Sequence, residues 1–395
     1  MKAEDWMMYI HCDWELNLDR DDCQAWVTYK QIGGKTVHGK LKKTGISIDA
    51  LDGTFRADII NKHVMEVVHI ESNSCVRFIA PQQIYKDLIS GSKITNVDVS
   101  EGGLGVVTSD NDQMYVWATD TGSARRQLKG HLGEVYSAKL FPSGLVVLST
   151  GADMRIKIWS ATTGDCPVTL TGHTQPVTDT AIVTRGKNIV SVSKDGSARL
   201  WSCGEGKCIT VLASGLDQLN CCAITEHSCF HPLDFPDRDD MELNSPEVDT
   251  EGKVLAVGSE NGQVQIINVA ARSVIHSYSS GSPVNCVTWS PSHLIIGCQD
   301  GSLHKISRSG QHIERSSSSP VLCLRYIAKI GSLVVGRQDG SVTVDSNSTD
   351  FRIILTGSDT DPIYSVSDDG TSIFTACRDG IVRKYDFKNI KNSFK

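Results

Sequence analysis

The sequence predicts an all-β chain: a seven-bladed propeller over residues 76–395, preceded by a small β-rich N-terminal domain over residues 1–75. Three observations predict it. Trp117, Trp159 and Trp201 recur at equal intervals, each closing a run of alternating apolar character, QMYVW, RIKIW and SARLW. The pair Gly130-His131 returns one such interval later as Gly172-His173, and each His precedes its Trp, Trp159 or Trp201, by the same distance. Asn111, Asp153 and Asp195 stand at one fixed distance before the three Trp, and turns of the same type follow at Asn261, Asp300, Asp339 and Asp379. Seven such turns at a period of about 40 residues give seven supersecondary units, a common size for a closed ring of four-stranded blades.

Taken in order, residues 1–75 lack this period but carry extended runs, AWVTY, GISID, FRADII and VMEVVHI, separated by Gly-Gly and Asp-Gly turns. Three Trp fall here, Trp6, Trp14 and Trp26; they read as this domain's core, and an exposed one would be a partner anchor. Each later repeat reads Gly-His, strand, turn, strand, Asp turn, strand, Trp, the pattern of a WD-repeat blade. Asp-Gly and Asn-Gly pairs supply the positive φ angles of tight hairpins. SVIHSY, VNCVTW, LIIGC, SLVVG and SIFTAC are the short, β-branched strands those hairpins join. His131, Ser149, Asp153 and Trp159, and again His173, Ser191, Asp195 and Trp201, match the hydrogen-bonded network that braces such blades. A catalytic triad would not recur with identical spacing, so these sets are expected to be structural.

The interval from Asp195 to Asn261 is one repeat plus an excess in residues 226–251, which are acidic and aperiodic. They read as a solvated loop inserted between two strands of one blade. The last strand, Ile381 to Phe387, holds the third place in its blade, so a fourth must come from before the first blade. CVRFIA at 75–80 is the expected donor, and this pairing would close the ring and remove the open edge.

Composition narrows the function classes. The 395 residues carry 39 Lys+Arg against 46 Asp+Glu, a net charge of -7, and 39% are hydrophobic. A core can form, no apolar run reaches the ~20 residues of a membrane span, and an acidic balance disfavours nucleic-acid binding by phosphate neutralisation. Glu4, Asp5, Asp13 and Glu15 interrupt any secretory leader. The 13 Cys lack repeated close spacing and read as thiols of a reducing compartment, so a cytoplasmic location is expected, with the nucleus left open. Cys203 with Cys208, and Cys221, Cys222 and Cys229 near His227 and His231, are the local clusters. Adjacent Cys221 and Cys222 would point to opposite faces of a strand, so no metal site and no cofactor is expected.

No catalytic residue is expected either. Gly34-Lys35-Thr36 resembles the end of a phosphate loop, but Tyr29 occupies the place of the required Gly. There is no HExxH, no GxSxG and no GxGxxG opening a helix. The expected site is therefore a partner-binding rim, where inter-blade loops and Asp turns share one face: Asp110, Asp112, Glu134, Asp217, Glu260, Asp359 and Asp361, with Arg378 and Lys194 among them. Clustered acids there would steer a basic partner.

The stretch Gly144 to Cys203, together with GGLGVVTSD at Gly102, NSPE near Asn244 and ACRDGIVRKY at Ala376, resembles the proteasomal ATPase-associated factor family of WD-repeat proteins. The resemblance spans nearly the whole chain and fades before residue 75. It implies an assembly chaperone and regulator of the 26S proteasome that binds the C-terminal helical domain of a base ATPase subunit and restrains its docking on the 20S core; a monomer is expected. It implies no catalytic residues. A generic WD40 scaffold and a cullin-ligase substrate receptor are the alternatives. The receptor class is disfavoured because the blades end in WATD, WSAT and WSCG where Trp-Asp-x-Arg is expected. A scaffold of the G-protein β type would lead with a heptad helix, which residues 1–75 lack.

Overall fold

Strands form where β-branched residues alternate with polar ones, and Gly at positive φ turns the chain between them: Gly196, Gly262, Gly301, Gly340 and Gly380 all sit at φ between 74° and 85°. The structure is a computed structural model that describes residues 6–393 apart from 21–22, 32, 45–46, 52, 90, 227–245, 308–309, 315–316 and 346–350. Its strands assemble into six separate four-stranded antiparallel sheets and one 11-stranded sheet. The sequence-based count of seven discrete blades is corrected to six. The four strands of the Asp339 repeat, Val321–Ile327, Ser332–Arg337, Val342–Asp345 and Phe351–Leu355, are continuous with the seven N-terminal strands.

That fusion is made by a parallel pairing. Strand Ser74–Ile79 runs beside Phe351–Leu355, Cys75 opposite Phe351 and Ile79 opposite Leu355. The expectation that 75–80 closes the last blade is therefore overturned. The strand that pairs with Val382–Asp386 is Gln83–Tyr85, Tyr85 opposite Val382. Pro81, which has no N–H to donate, separates the two strands. One short stretch thus ties two neighbouring sheets, and strand Val382–Asp386 is paired on both sides at the closure.

The first strand of each repeat, such as Ile94–Val99, Val135–Leu140 and Val177–Val183, lines the central axis. Each pairs with its second strand through a bulge near its start, leaving Thr95, Tyr136, Thr178, Asn220, Asn285, Leu322 and Tyr364 out of register. A bulge re-aims a side chain, and four of these reach the next repeat. Thr95 Oγ1 donates to the Val135 carbonyl at 2.9 Å and Thr178 Oγ1 to Leu219 at 2.7 Å. Asn220 Nδ2 donates to Val284 at 3.1 Å and Asn285 Nδ2 to Val321 at 2.9 Å. Trp117, Trp159 and Trp201 are at most 1% exposed and fill the space between sheets; each contributes about 3 kcal/mol of apolar burial.

The N-terminal strands wrap a core of Met8, Trp14, Leu18, Leu41, Met65 and Phe78 that takes in Ile354 of the ring. Trp6 and Trp14 are buried there, whereas Trp26 lies 40% exposed. Alternation explains this, because Ala25, Val27 and Tyr29 of strand Gln24–Gln31 point inward and Trp26 points away. No helix among the described residues is long and apolar enough to cross a membrane.

Candidate partner-binding face

Antiparallel order puts the Asp turns, between second and third strands, and the connections between repeats on one face. The connection between first and second strands opens on the opposite face. Strands Leu219–Thr225 and Val254–Ser259 are the first and second of their repeat, so 226 and 246–253, which flank them, lie at that opposite face; the expected inserted loop falls mostly on 227–245, outside the described residues. Asn188 holds the end of the segment, donating to the Pro246 carbonyl at 3.0 Å and accepting from Val248 N–H at 2.6 Å.

On the Asp-turn face, two repeats carry the same four-residue relay. Trp159 Nε1–H donates to Ser149 Oγ at 2.8 Å, the Ser149 hydroxyl to His131 Nε2 at 2.7 Å, and His131 Nδ1–H to Asp153 at 2.9 Å. The second set repeats these contacts: Trp201 to Ser191 at 2.8 Å, Ser191 to His173 at 2.7 Å, and His173 to Asp195 at 2.8 Å. Burial opposes the Asp195 charge, but bonds from Ser197, His173 and Thr174 N–H outweigh it and hold the carboxyl at about 2. Burial, joined by the charge of Arg199, outweighs the pull of Asp195 and lowers His173, which favours its neutral imidazole. A neutral ring accepting at Nε2 fixes one geometry, which suits a brace.

The other repeats brace differently. Ile89 occupies the position ahead of Trp117 where the His would stand, and Trp117 Nε1 is buried without a partner among the described residues. At Asp339 the missing His is replaced from outside the ring, by Tyr9 Oη donating at 3.2 Å from the N-terminal sheet. At Asp379 the buried Arg383 guanidinium grips both carboxylate oxygens. At Asp300 the Ser302 hydroxyl donates at 2.6 Å and joins a relay through His304 to Tyr278. No local signal in the sequence marks the Tyr9 contact, whose two residues lie at opposite ends of the chain.

The rim residues fall into three groups, with Asp359 apart from them. Asp110 and Asp112 share one turn, and Asp110 raises the carboxyl of Glu134, which burial already pushes up. Lys93 lies 3.6 Å from Asp110, and Lys194 stands 5.8 Å from the Tyr136 ring. Glu260 N–H donates to the Gln218 carbonyl beside Asp217, and Glu260 accepts from Asn220 at 2.8 Å. Asp361 pairs with Arg378 at 2.8 Å, so these two cancel. Asp359 turns toward the N-terminal segment instead, where with Asp13 it raises the Cys12 thiol that burial has already raised.

An axial channel of about 840 Å³ opens toward the opposite face. Its carboxylates are engaged. Asp98 accepts from Leu140 N–H at 2.8 Å and from Ser367 at 2.7 Å, and Asp179 accepts from Lys139 at 2.9 Å and from Cys222 N–H at 3.1 Å. These bonds sew neighbouring first strands together. Cys221 and Cys222 pack into different cores on opposite faces of their strand. Burial pushes Cys203, Cys323 and Cys377 up to about 12, so they are protonated packing residues. Cys229, His227 and His231 lie outside the described residues. His11, Cys12 and Asp13 bring donor atoms within 4.8 Å of one another. His11 Nδ1 and Asp13 Oδ1 are already engaged with each other and with Asn17 Nδ2.

A ring of four-stranded sheets with relays of this kind defines a WD-repeat β-propeller. The model of the WD domain, G-beta repeat, matches residues 122–160, 164–202 and 348–386, and that of the anaphase-promoting complex subunit 4 WD40 domain matches 233–292. Relatives over the whole length are more specific. The chain is 37% identical over 392 residues to proteasomal ATPase-associated factor 1 of Homo sapiens, covering 96% of this chain and 98% of the relative. It is 38% identical to that of Gallus gallus with the same coverage. To the probable proteasomal ATPase-associated factor 1 of Dictyostelium discoideum it is 35% identical, covering 95% of each. The chain belongs to the proteasomal ATPase-associated factor 1 family.

Proposed function

We propose that this protein is a non-catalytic scaffold that binds the C-terminal domain of one ATPase subunit of the proteasome base and withholds it from the 20S core until assembly. The printed name of the relatives, ATPase-associated, points to the partner. The observation that carries the mode of binding is the division of the Asp-turn face into acidic groups, Asp110 with Glu134 and Asp217 with Glu260, presented on a braced ring. Such a face holds a basic surface by steering and shape, without chemistry. Engaged carboxylates in the channel and protonated buried thiols support a non-enzymatic role. The thiols also suit a reducing cytoplasm, and we place the protein there as a monomer.

The test is capture of each recombinant ATPase C-terminal domain by the purified chain at low and at ~0.3 M salt, where screening shortens the reach of exposed charges. One domain is expected to bind, more weakly in salt and more weakly still to the Asp110→Lys/Glu134→Lys chain. Equal binding of all domains, or of none, would refute the reading.

A further inference from the structure

The N-terminal sheet and the ring do not meet flush. Between strands Trp6–Ile10 and Gln24–Gln31 on one side, and the Asp339 turn and the 356–360 connection on the other, lies a groove of about 380 Å³. Its walls are apolar, from Met8, Ile10, Phe78, Ile354 and Leu355. Trp26 closes one side. Its ring is held edge-on by His11 at 5.6 Å, and 40% of the residue stays in contact with solvent. Indole surface left at the mouth of an apolar groove is the composition of a binding hot spot.

The charge at the mouth identifies the occupant. Three charged residues line the groove, Asp339, Asp359 and Lys30, and Lys30 stands four residues along strand Gln24–Gln31 from Trp26, about 13 Å away, so it does not face the indole end. Asp339 is committed to Tyr9 and to Ser341. Among the described residues, the Asp359 side chain makes no hydrogen bond or ion pair, and Asp359 lines the groove together with Cys12 and Trp26. An open carboxylate beside an open indole face suits a cation next to an apolar side chain, since Trp attracts cations over its ring and Asp359 supplies the counter-charge. The volume is at the small end of the roughly 300–1,000 Å³ range of ligand clefts, enough for one or two side chains of an extended segment. Because the Asp339 turn and the 356–360 connection belong to the Asp-turn face, the groove continues the acidic rim onto the N-terminal domain.

We propose that this groove docks a peptide segment of the partner that bears an apolar side chain beside a Lys or Arg, so that the N-terminal sheet is half of the binding site. The inference rests on the reading above, and its test separates the two. The affinity of the full chain for whichever ATPase C-terminal domain it captures is measured for wild type, Trp26→Ala, Thr360→Phe, Asp359→Lys and the rim variant Asp110→Lys/Glu134→Lys. Thr360 is exposed on the groove wall, so its replacement by Phe plugs the groove without removing a buried side chain.

Trp26→Ala and Thr360→Phe are each expected to weaken binding by about 10- to 30-fold, the scale of a hot-spot truncation. Their loss should persist at ~0.3 M salt, whereas the loss from Asp359→Lys should shrink there. If both variants, folded by thermal melt, bind as wild type while the rim variant does not, the groove is no docking site and the binding reading stands. If wild type captures no domain, both are overturned.

Discussion

Ser191 is the hinge of a relay, and replacing it by Ala tests whether the relay braces the ring. The hydroxyl serves two buried partners, accepting from Trp201 Nε1–H at 2.8 Å and donating to His173 Nε2 at 2.7 Å. The His173 side chain is 1% exposed and Trp201 is 1% exposed, so water cannot replace either bond. A buried polar group left unpaired costs about 1–3 kcal/mol, which for two groups bounds the loss at about 2–6 kcal/mol. Trp117 shows that one orphaned indole N–H is tolerated in an intact sheet, and His173 keeps its bond to Asp195, so the lower end, about 2–3 kcal/mol, is expected. Equilibrium urea unfolding measures it. Combining the change with Trp201→Phe, which removes the donor, should recover about 1 kcal/mol of coupling. A loss under about 0.5 kcal/mol, or strict additivity with Trp201→Phe, would refute the bracing role.

Two further outcomes follow from the same geometry. The Asp195 carboxyl lies at about 2 in the folded chain against ~3.9 when exposed, so it contributes about 2 kcal/mol that is fully present above pH ~4 and lost as pH falls toward 2. Asp195→Asn should flatten that part of a stability-versus-pH curve, and an unchanged acid limb would contradict it. Tyr85 belongs to the short closing strand and packs edge-on to Trp117 at 4.7 Å and against Phe374, while its hydroxyl donates to the Thr119 carbonyl. Tyr85→Ala should cost about 3 kcal/mol and open the ring to proteolysis between positions 80 and 95; a protected segment there would place closure elsewhere.

Which features the sequence makes legible follows from how local their signals are. Trp159 and Trp201 announce their repeats because Trp, Ser, His and Asp all fall within one repeat and recur at one period. The closing strand is silent because Gln83–Tyr85 has three residues, too few for an alternation to register. CVRFIA, just before it, carries the stronger strand pattern and so reads as the donor. Its real partner, Phe351–Leu355, is parallel and lies near the other end of the chain, a pairing for which no turn signal exists. The fusion of the N-terminal sheet with the Asp339 repeat is hidden for the same reason. The rim acids are legible as turn residues, but their pairing is not: Asp361 is neutralised by Arg378, while Asp359 faces a groove that exists only because strand Gln24–Gln31 folds against the ring. The bulge residues, from Thr95 to Tyr364, become visible only once strand register is known.

The proposed role is to hold a base ATPase subunit away from the 20S core. The direct measurement is association of that subunit with purified 20S particles on native gels, with the chain titrated from zero to a twofold excess. Association is expected to fall with added wild-type chain and to be restored by Trp26→Ala or by Asp110→Lys/Glu134→Lys. Association unchanged or increased by a chain that demonstrably binds the subunit would contradict it.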